Sequence, residues 1–151
     1  MTYPTITLPE LLERTAAKSP GATALIYFGA AISYEQLQDQ VNRMAAGLQA
    51  LGVEKGDRVA LMMPNCPQFV ISYFGALRAG AIVTATSSMY TAREAAHQWN
   101  DAGVKVVIAD RRLFPVIRPA LSQLASAPQV VLTGARQYYP QPFRRLCASL
   151  E

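Results

Sequence analysis

Helix starts are written into this chain with regular punctuation, and they fix what it can fold into. Thr7-Leu8-Pro9-Glu10, Ser33-Tyr34-Glu35-Gln36 and Thr91-Ala92-Arg93-Glu94 each set a hydroxyl three residues before a carboxyl or amide. In that arrangement the first side chain accepts from the N–H of the third residue after it, and that residue's side chain reaches back. Short apolar runs alternate with these starts: Ala24 to Phe28, Arg58 to Met63, Ala81 to Ala85, Val104 to Ala109 and Gln129 to Thr133. Strand and helix at such short spacing fold as right-handed βαβ units around a mainly parallel sheet. The expected class is therefore α/β, with helices flanking the sheet.

Local signals refine this. After Thr7, residues Leu8, Leu11, Leu12 and Ala16 are expected on one helical face, and Ser19-Pro20-Gly21 ends the helix. Gly29 turns the first strand back through Ala31-Ile32 as a hairpin. Leu37, Val41, Met44, Ala45, Leu48 and Leu51 repeat at helical spacing, and Gly52 is placed to end that helix in a left-handed cap. Asn65 is read as the cap of the next helix, with Pro67 in its first turn and Gln68 at the reciprocal position. Pro67 to Ala79 is apolar nearly all round, which predicts a buried helix, with a tight contact at Gly75 and a cap at Gly80. The Thr91 helix runs to Ala102 and Gly103 ends it. A proline-interrupted helix is expected from about Leu113 to Ala125.

The chain has 151 residues, enough for one domain or one lobe of a larger protein, with a core that needs no disulfide or metal. Half the residues are apolar (51%), slightly high for a lone small domain, which hints at a surface that something else covers. Cys66 and Cys147 stand far apart with no companions and His97 is the only histidine, so a zinc site has no ligand set and reduced thiols are expected. No signal peptide is read at the N-terminus, and the longest apolar stretch, Phe69 to Ala85, is too short and too broken for a membrane span. A cytoplasmic location is expected. Residues 111–151 hold six Arg and one Glu. Those arginines form no compact stripe interleaved with aromatics, so a solvated basic end is read in preference to a nucleic-acid or membrane surface.

The motifs of nucleotide and acyl chemistry are missing. No G-x-G occurs, so the dinucleotide fingerprint is absent. Gly75 and Gly80 have the spacing of a P-loop, but Ala81-Ile82 stand where Lys and Ser/Thr are required. There is no G-x-S-x-G elbow, and a lone His97 in mid-helix reads as a surface or packing residue. Asp110 ends a strand, where ligands of parallel sheets bind, but an Asp there more often caps the following helix.

From about Leu8 to Thr133 the chain resembles the N-terminal part of the adenylate-forming (AMP-binding) superfamily, most closely the long- and medium-chain fatty-acyl-CoA synthetases. The matching pieces are Ile32-Ser33-Tyr34-Glu35-Gln36-Leu37, then Leu51-Gly52-Val53 with Lys55-Gly56-Asp57-Arg58-Val59-Ala60. Next come Pro64-Asn65-Cys66-Pro67-Gln68-Phe69, then Leu77-Arg78-Ala79-Gly80-Ala81 with Met89-Tyr90-Thr91 and His97-Gln98. Their order and spacing carry the resemblance. Ser87-Ser88 depart from an Asn-Pro pair common in relatives, which loosens the expected entry to the Thr91 helix.

The resemblance implies a two-step parent reaction: ATP-dependent acyl-adenylate formation from a fatty acid, then thioester formation with coenzyme A, assisted by Mg2+. It implies residues 1–134 as the α/β N-terminal subdomain of an acyl-CoA synthetase-like fold and 135–151 as an irregular basic tail. In the family the phosphate loop, the adenine-binding segment, the ribose-binding Asp and a C-terminal lysine lie downstream of this stretch. No catalytic, cofactor-binding or metal residue is therefore carried over. What matches is scaffold: Tyr34, Leu37, Gly56, Asp57, Asn65, Gly80, Tyr90 and Glu94. The expected function is an inactive, scaffold-forming N-terminal fragment of a fatty-acid–CoA ligase, a truncated piece that binds no cofactor alone and whose partner is the missing C-terminal portion. The alternative is a stand-alone association module that forms a homodimer and lacks activity. No nucleic-acid partner and no transmembrane segment are expected.

Overall fold

The computed structural model describes residues 5–134. The elements are α1 (Leu8–Lys18), β1 (Thr23–Tyr27), β2 (Ala30–Ser33), α2 (Tyr34–Ala50), β3 (Arg58–Met62), α3 (Pro67–Arg78), β4 (Ile82–Thr86), α4 (Ala92–Ala102), β5 (Val104–Asp110), α5 (Phe114–Leu121) and β6 (Gln129–Thr133). A short 3-10 turn, Arg111–Leu113, joins β5 to α5. The expected basic tail, 135–151, lies outside the described residues.

All three reciprocal caps form. The side chains of Thr7, Ser33 and Thr91 accept from the N–H groups of Glu10, Gln36 and Glu94, whose own side chains accept from the cap N–H groups. Glu10 and Glu94 are held below the usual carboxylate range by the backbone N–H of Thr7 and of Thr91 respectively. Gly103 ends α4 with φ 62°, a conformation that costs a side-chain-bearing residue energy. Beside it Arg58 donates Nε to Ala102 O at 2.7 Å, satisfying one of the helix's terminal carbonyls.

Four strands form a parallel sheet in the order β4-β3-β5-β6. β1 and β2 form a separate antiparallel hairpin whose turn residues, Phe28 and Gly29, both have positive φ, 47° and 80°. The central strands β3 and β5 are buried on both faces, which is why they read as unbroken apolar runs. β4 and β6 are the edges and are less buried.

The core has two sides. Val59, Leu61, Val106 and Ile108 pack with Ala45, Leu48 and Ala76 of α2 and α3. Ala60, Met62, Val107 and Ala109 pack with Ala95, Ala96, Trp99, Ile117 and Ala120 of α4 and α5. Outside α2 and α3, Leu12, Ile32, Leu37, Val41 and Ile71 seat α1 and the hairpin. Burying aliphatic side chains of this size stabilises by about 1.5–3 kcal/mol each.

Some expectations change. On α1 only Leu12 and Ala16 are buried, while Leu8 and Leu11 stay about half exposed, because α2 and α3 cover a narrow stripe. In α3 the buried positions are Pro67, Gln68, Ile71, Ser72, Gly75 and Ala76, and the aromatic residues lie at the margin. α5 stops at Leu121, not Ala125; Pro119 sits inside it, and Gln123 and Leu124 close turns onto Ala120 O and Leu121 O. At Ser87-Ser88 the Ser87 hydroxyl accepts from Met89 N and its carbonyl from Tyr90 N, which makes a turn before α4. Among the described residues no helix is long and apolar enough to cross a membrane.

Candidate functional site

The strand order fixes where a site could lie. The chain leaves β3 for β4 on one side and returns to β5 on the other, so its direction reverses between β3 and β5. In open parallel sheets, ligands bind in the crevice outside the carboxyl ends of the strands at such a reversal. Here the segment after β3, the start of α3, Asp110 at the end of β5 and Gly134 after β6 meet at that edge.

The start of α3 differs from the sequence reading. Cys66, not Asn65, is the N-cap, and it makes no side-chain cap bond. Pro67 has no N–H to offer, so the first orphan donor never exists. Gln68 does not fold back on the cap. Its Nε2 donates to Gly134 O at 2.7 Å, tying α3 to the end of β6, and the side chain is buried at 6% exposure. Its Oε1 has no partner among the described residues.

Asp110 is buried at 3% exposure and accepts from Arg112 three times: N at 2.9 Å, Nε at 3.0 Å and Nη2 at 2.6 Å. Burial alone would lift its carboxyl, but the Arg112 hydrogen bonds outweigh that and hold it below the usual range. Asp110 is thus an ionised cap of the Arg111–Leu113 turn, the more ordinary of its two readings. Burial, and after it the Asp110 charge, push the Cys66 thiol up, opposite to what a nucleophilic thiolate needs. His97 is exposed on α4. The structure therefore brings Cys66, Gln68 and Asp110 to one edge, but with Gln68 bonded to Gly134 and Asp110 to Arg112, and not as a base and a nucleophile. A shallow groove of about 190 Å³ beside it is lined mainly by Leu25, Ile26, Tyr27, Cys66, Pro67 and Val70.

Among the described residues no group of three His, Cys, Asp or Glu gathers as a metal site would require. Among the described residues no glycine-rich loop follows a strand, and the Asp110 carboxylate at the sheet's edge is paired with Arg112. These residues do not fit ATP with magnesium, and no chemical step is derived through them.

Of the matched scaffold residues, several sit at caps, turns and core, while Asn65 does not cap α3. Leu37 is in the core, Glu94 closes a cap, and Gly56 and Gly80 have positive φ, 90° and 87°. Gly56 N donates to Gly80 O at 2.9 Å, linking the turns before β3 and β4. Asp57 accepts from Lys105 Nζ at 2.6 Å, the bond that chiefly holds its carboxyl low, and Lys105 also donates to Gly52 O at 2.7 Å. Tyr34 is half-buried, Asn65 exposed and Tyr90 36% exposed. The Lys105 clamp and the Gln68–Gly134 link escape the sequence, because both join positions far apart in the chain and carry no motif.

Residues 12–145 match the family described as AMP-binding enzyme. The chain is 40% identical over 139 residues, 92% of its length, to the long-chain-fatty-acid–CoA ligase of Bacillus subtilis (strain 168), and covers 25% of that protein. It is 38% identical over 127 residues to the long-chain-fatty-acid–CoA ligase of Salmonella typhimurium, 83% of this chain and 22% of the relative. Among solved structures it superposes on a Mycobacterium tuberculosis fatty acyl CoA synthetase with a TM-score of 0.74 and 32% identity, covering 84% of this chain and 26% of the other. The chain spans about a quarter of the length of these relatives.

Proposed function

The chain belongs to the AMP-binding enzyme family, and on that premise we propose that it is the N-terminal portion of a fatty-acid–CoA ligase. The whole enzyme would join a fatty acid to ATP as an acyl-adenylate with release of pyrophosphate, then transfer the acyl group to coenzyme A, with Mg2+ assisting. Residues 1–134 act in it as an α/β subdomain whose role is scaffold, within a cytoplasmic protein. No residue of this portion is assigned to catalysis, to a cofactor or to a metal.

One observation carries the reading. The likeness to a long-chain-fatty-acid–CoA ligase runs over 92% of this chain, while at the carboxyl edge of the sheet Asp110 is held by Arg112 and the Gln68 amide by Gly134. The test is ATP–pyrophosphate exchange by the isolated chain with palmitate and Mg2+. The expected result is no exchange above background. Exchange near the rate of a whole ligase would refute the scaffold role.

A further inference from the structure

Gln68 is held by only half of its amide. Nε2 donates to Gly134 O, which settles which end of the amide is which, and Oε1 is left buried with no partner among the described residues. One turn further along α3, Ser72 is fully buried and its Oγ has no partner either. Gln38 and Gln98 also carry an unpartnered Oε1, but both residues are half-buried. Residues four apart lie on one face of a helix, with Cβ atoms about 5–6 Å from each other, and helical side chains lean toward the N-terminus. Ser72 therefore points into the turn that Gln68 opens. Ala76, the next residue on that face, packs with Val59, Leu61, Val106 and Ile108, whose side chains offer no hydrogen bond. A helical serine can turn its hydroxyl onto the carbonyl four residues back, and Ser72 does not. Buried polar atoms without partners are rare. Here one atom accepts, the other can donate, and they do not bond to each other.

We propose that Gln68 Oε1 and Ser72 Oγ line an internal hydration site, in which a water donates to Oε1 and accepts from the Ser72 hydroxyl. Two polar partners are enough to hold a buried water. The chemistry sets the ligand: it must be small, enclosed by protein, and both a donor and an acceptor. The water continues a chain of hydrogen bonds from Gly134 O through the Gln68 amide to Ser72, so successive turns of α3 are tied to the end of β6. The site is independent of the ligase reading.

Ser72→Ala, alone and in a Gln68→Met background, tests this through the melting temperature of the 151-residue chain. Alanine is the better helix former and would stabilise a helix that lost only a bare hydroxyl. With the water in place, Ser72→Ala strands Oε1, and the melting temperature should fall by about 2–4 °C. In the Gln68→Met background nothing is stranded, and Ser72→Ala should leave it unchanged or raise it. Magnetic relaxation dispersion of the solvent detects waters held inside a protein, and Ser72→Ala should remove a contribution from it. An equal fall in both backgrounds would mean a bond to the backbone, and a rise in both a bare hydroxyl; either overturns the site. Coupling between the two substitutions with no loss of a held water would mean a direct bond between the side chains, and overturns it as well.

Discussion

Gly75 and Met44 are in contact so close that a single added carbon at Gly75 would lie 2.5 Å from Met44 Cγ and 2.7 Å from Met44 Cβ. The near end of the methionine side chain is what obstructs, so rotating its far end gives no relief. Gly75→Ala should force α3 away from α2 and cost about 1–3 kcal/mol, despite alanine's better helix propensity. Urea unfolding of the two proteins checks this. The opposite sign is expected at Gly47 of α2, where a Cβ would meet nothing within 4 Å and alanine should stabilise by up to about 1 kcal/mol.

Trp99 donates Nε1 to Thr86 Oγ1 at 2.9 Å, and both residues are buried. Thr86→Val keeps the shape and removes the acceptor, leaving an indole N–H without a partner in the core. The expected loss is about 1–3 kcal/mol. Trp99 is the only tryptophan, so its fluorescence follows unfolding directly.

The Asp110–Arg112 pair makes stability depend on pH. The folded carboxyl titrates below its unfolded value of roughly 3.9, so the folded state binds fewer protons in that range. Its contribution is complete above the unfolded value and disappears as pH falls through the folded one. Asp110→Asn should cost about 1 kcal/mol at pH 7, a modest figure because Arg112 is well exposed. The gap between the two proteins should close on acidification below pH of about 4. A constant gap down to pH of about 2 would contradict this.

Cys66 is buried, and burial pushes its thiol up. In a Cys147→Ser background, Cys66 should react with an aromatic disulfide reagent only as fast as the chain opens. Adding urea to the transition midpoint should release it. Reaction at the rate of a free thiol in the native protein would show the start of α3 to be open.

The local grammar of this fold is legible in the chain because its signals act over three or four residues. Thr7, Ser33 and Thr91 cap as their spacing dictates, and Gly103 ends α4 in the left-handed region. β6 spans Gln129 to Thr133 as read, and Asp110 caps a turn as its place at a strand end suggests. The rest depends on partners distant in sequence. Gln68 has the spacing to reach back to the cap, but Gly134, 66 positions later, offers a carbonyl that wins its amide. Leu8 and Leu11 belong to an apolar stripe by spacing, yet the placement of α2 and α3 against α1 decides which residues are covered. The end of α5 depends on how Pro119 is accommodated, and periodicity does not record that. The family resemblance reached the family because it reads many such positions together, where each alone is weak.

The most direct measurement is acyl-CoA formation from palmitate, ATP and coenzyme A by this chain joined, in one co-expressed complex, to the remaining portion of the Bacillus subtilis ligase. The account predicts no product from either part alone and measurable product from the complex. Product from the isolated chain, or a stable complex that forms none, would contradict it.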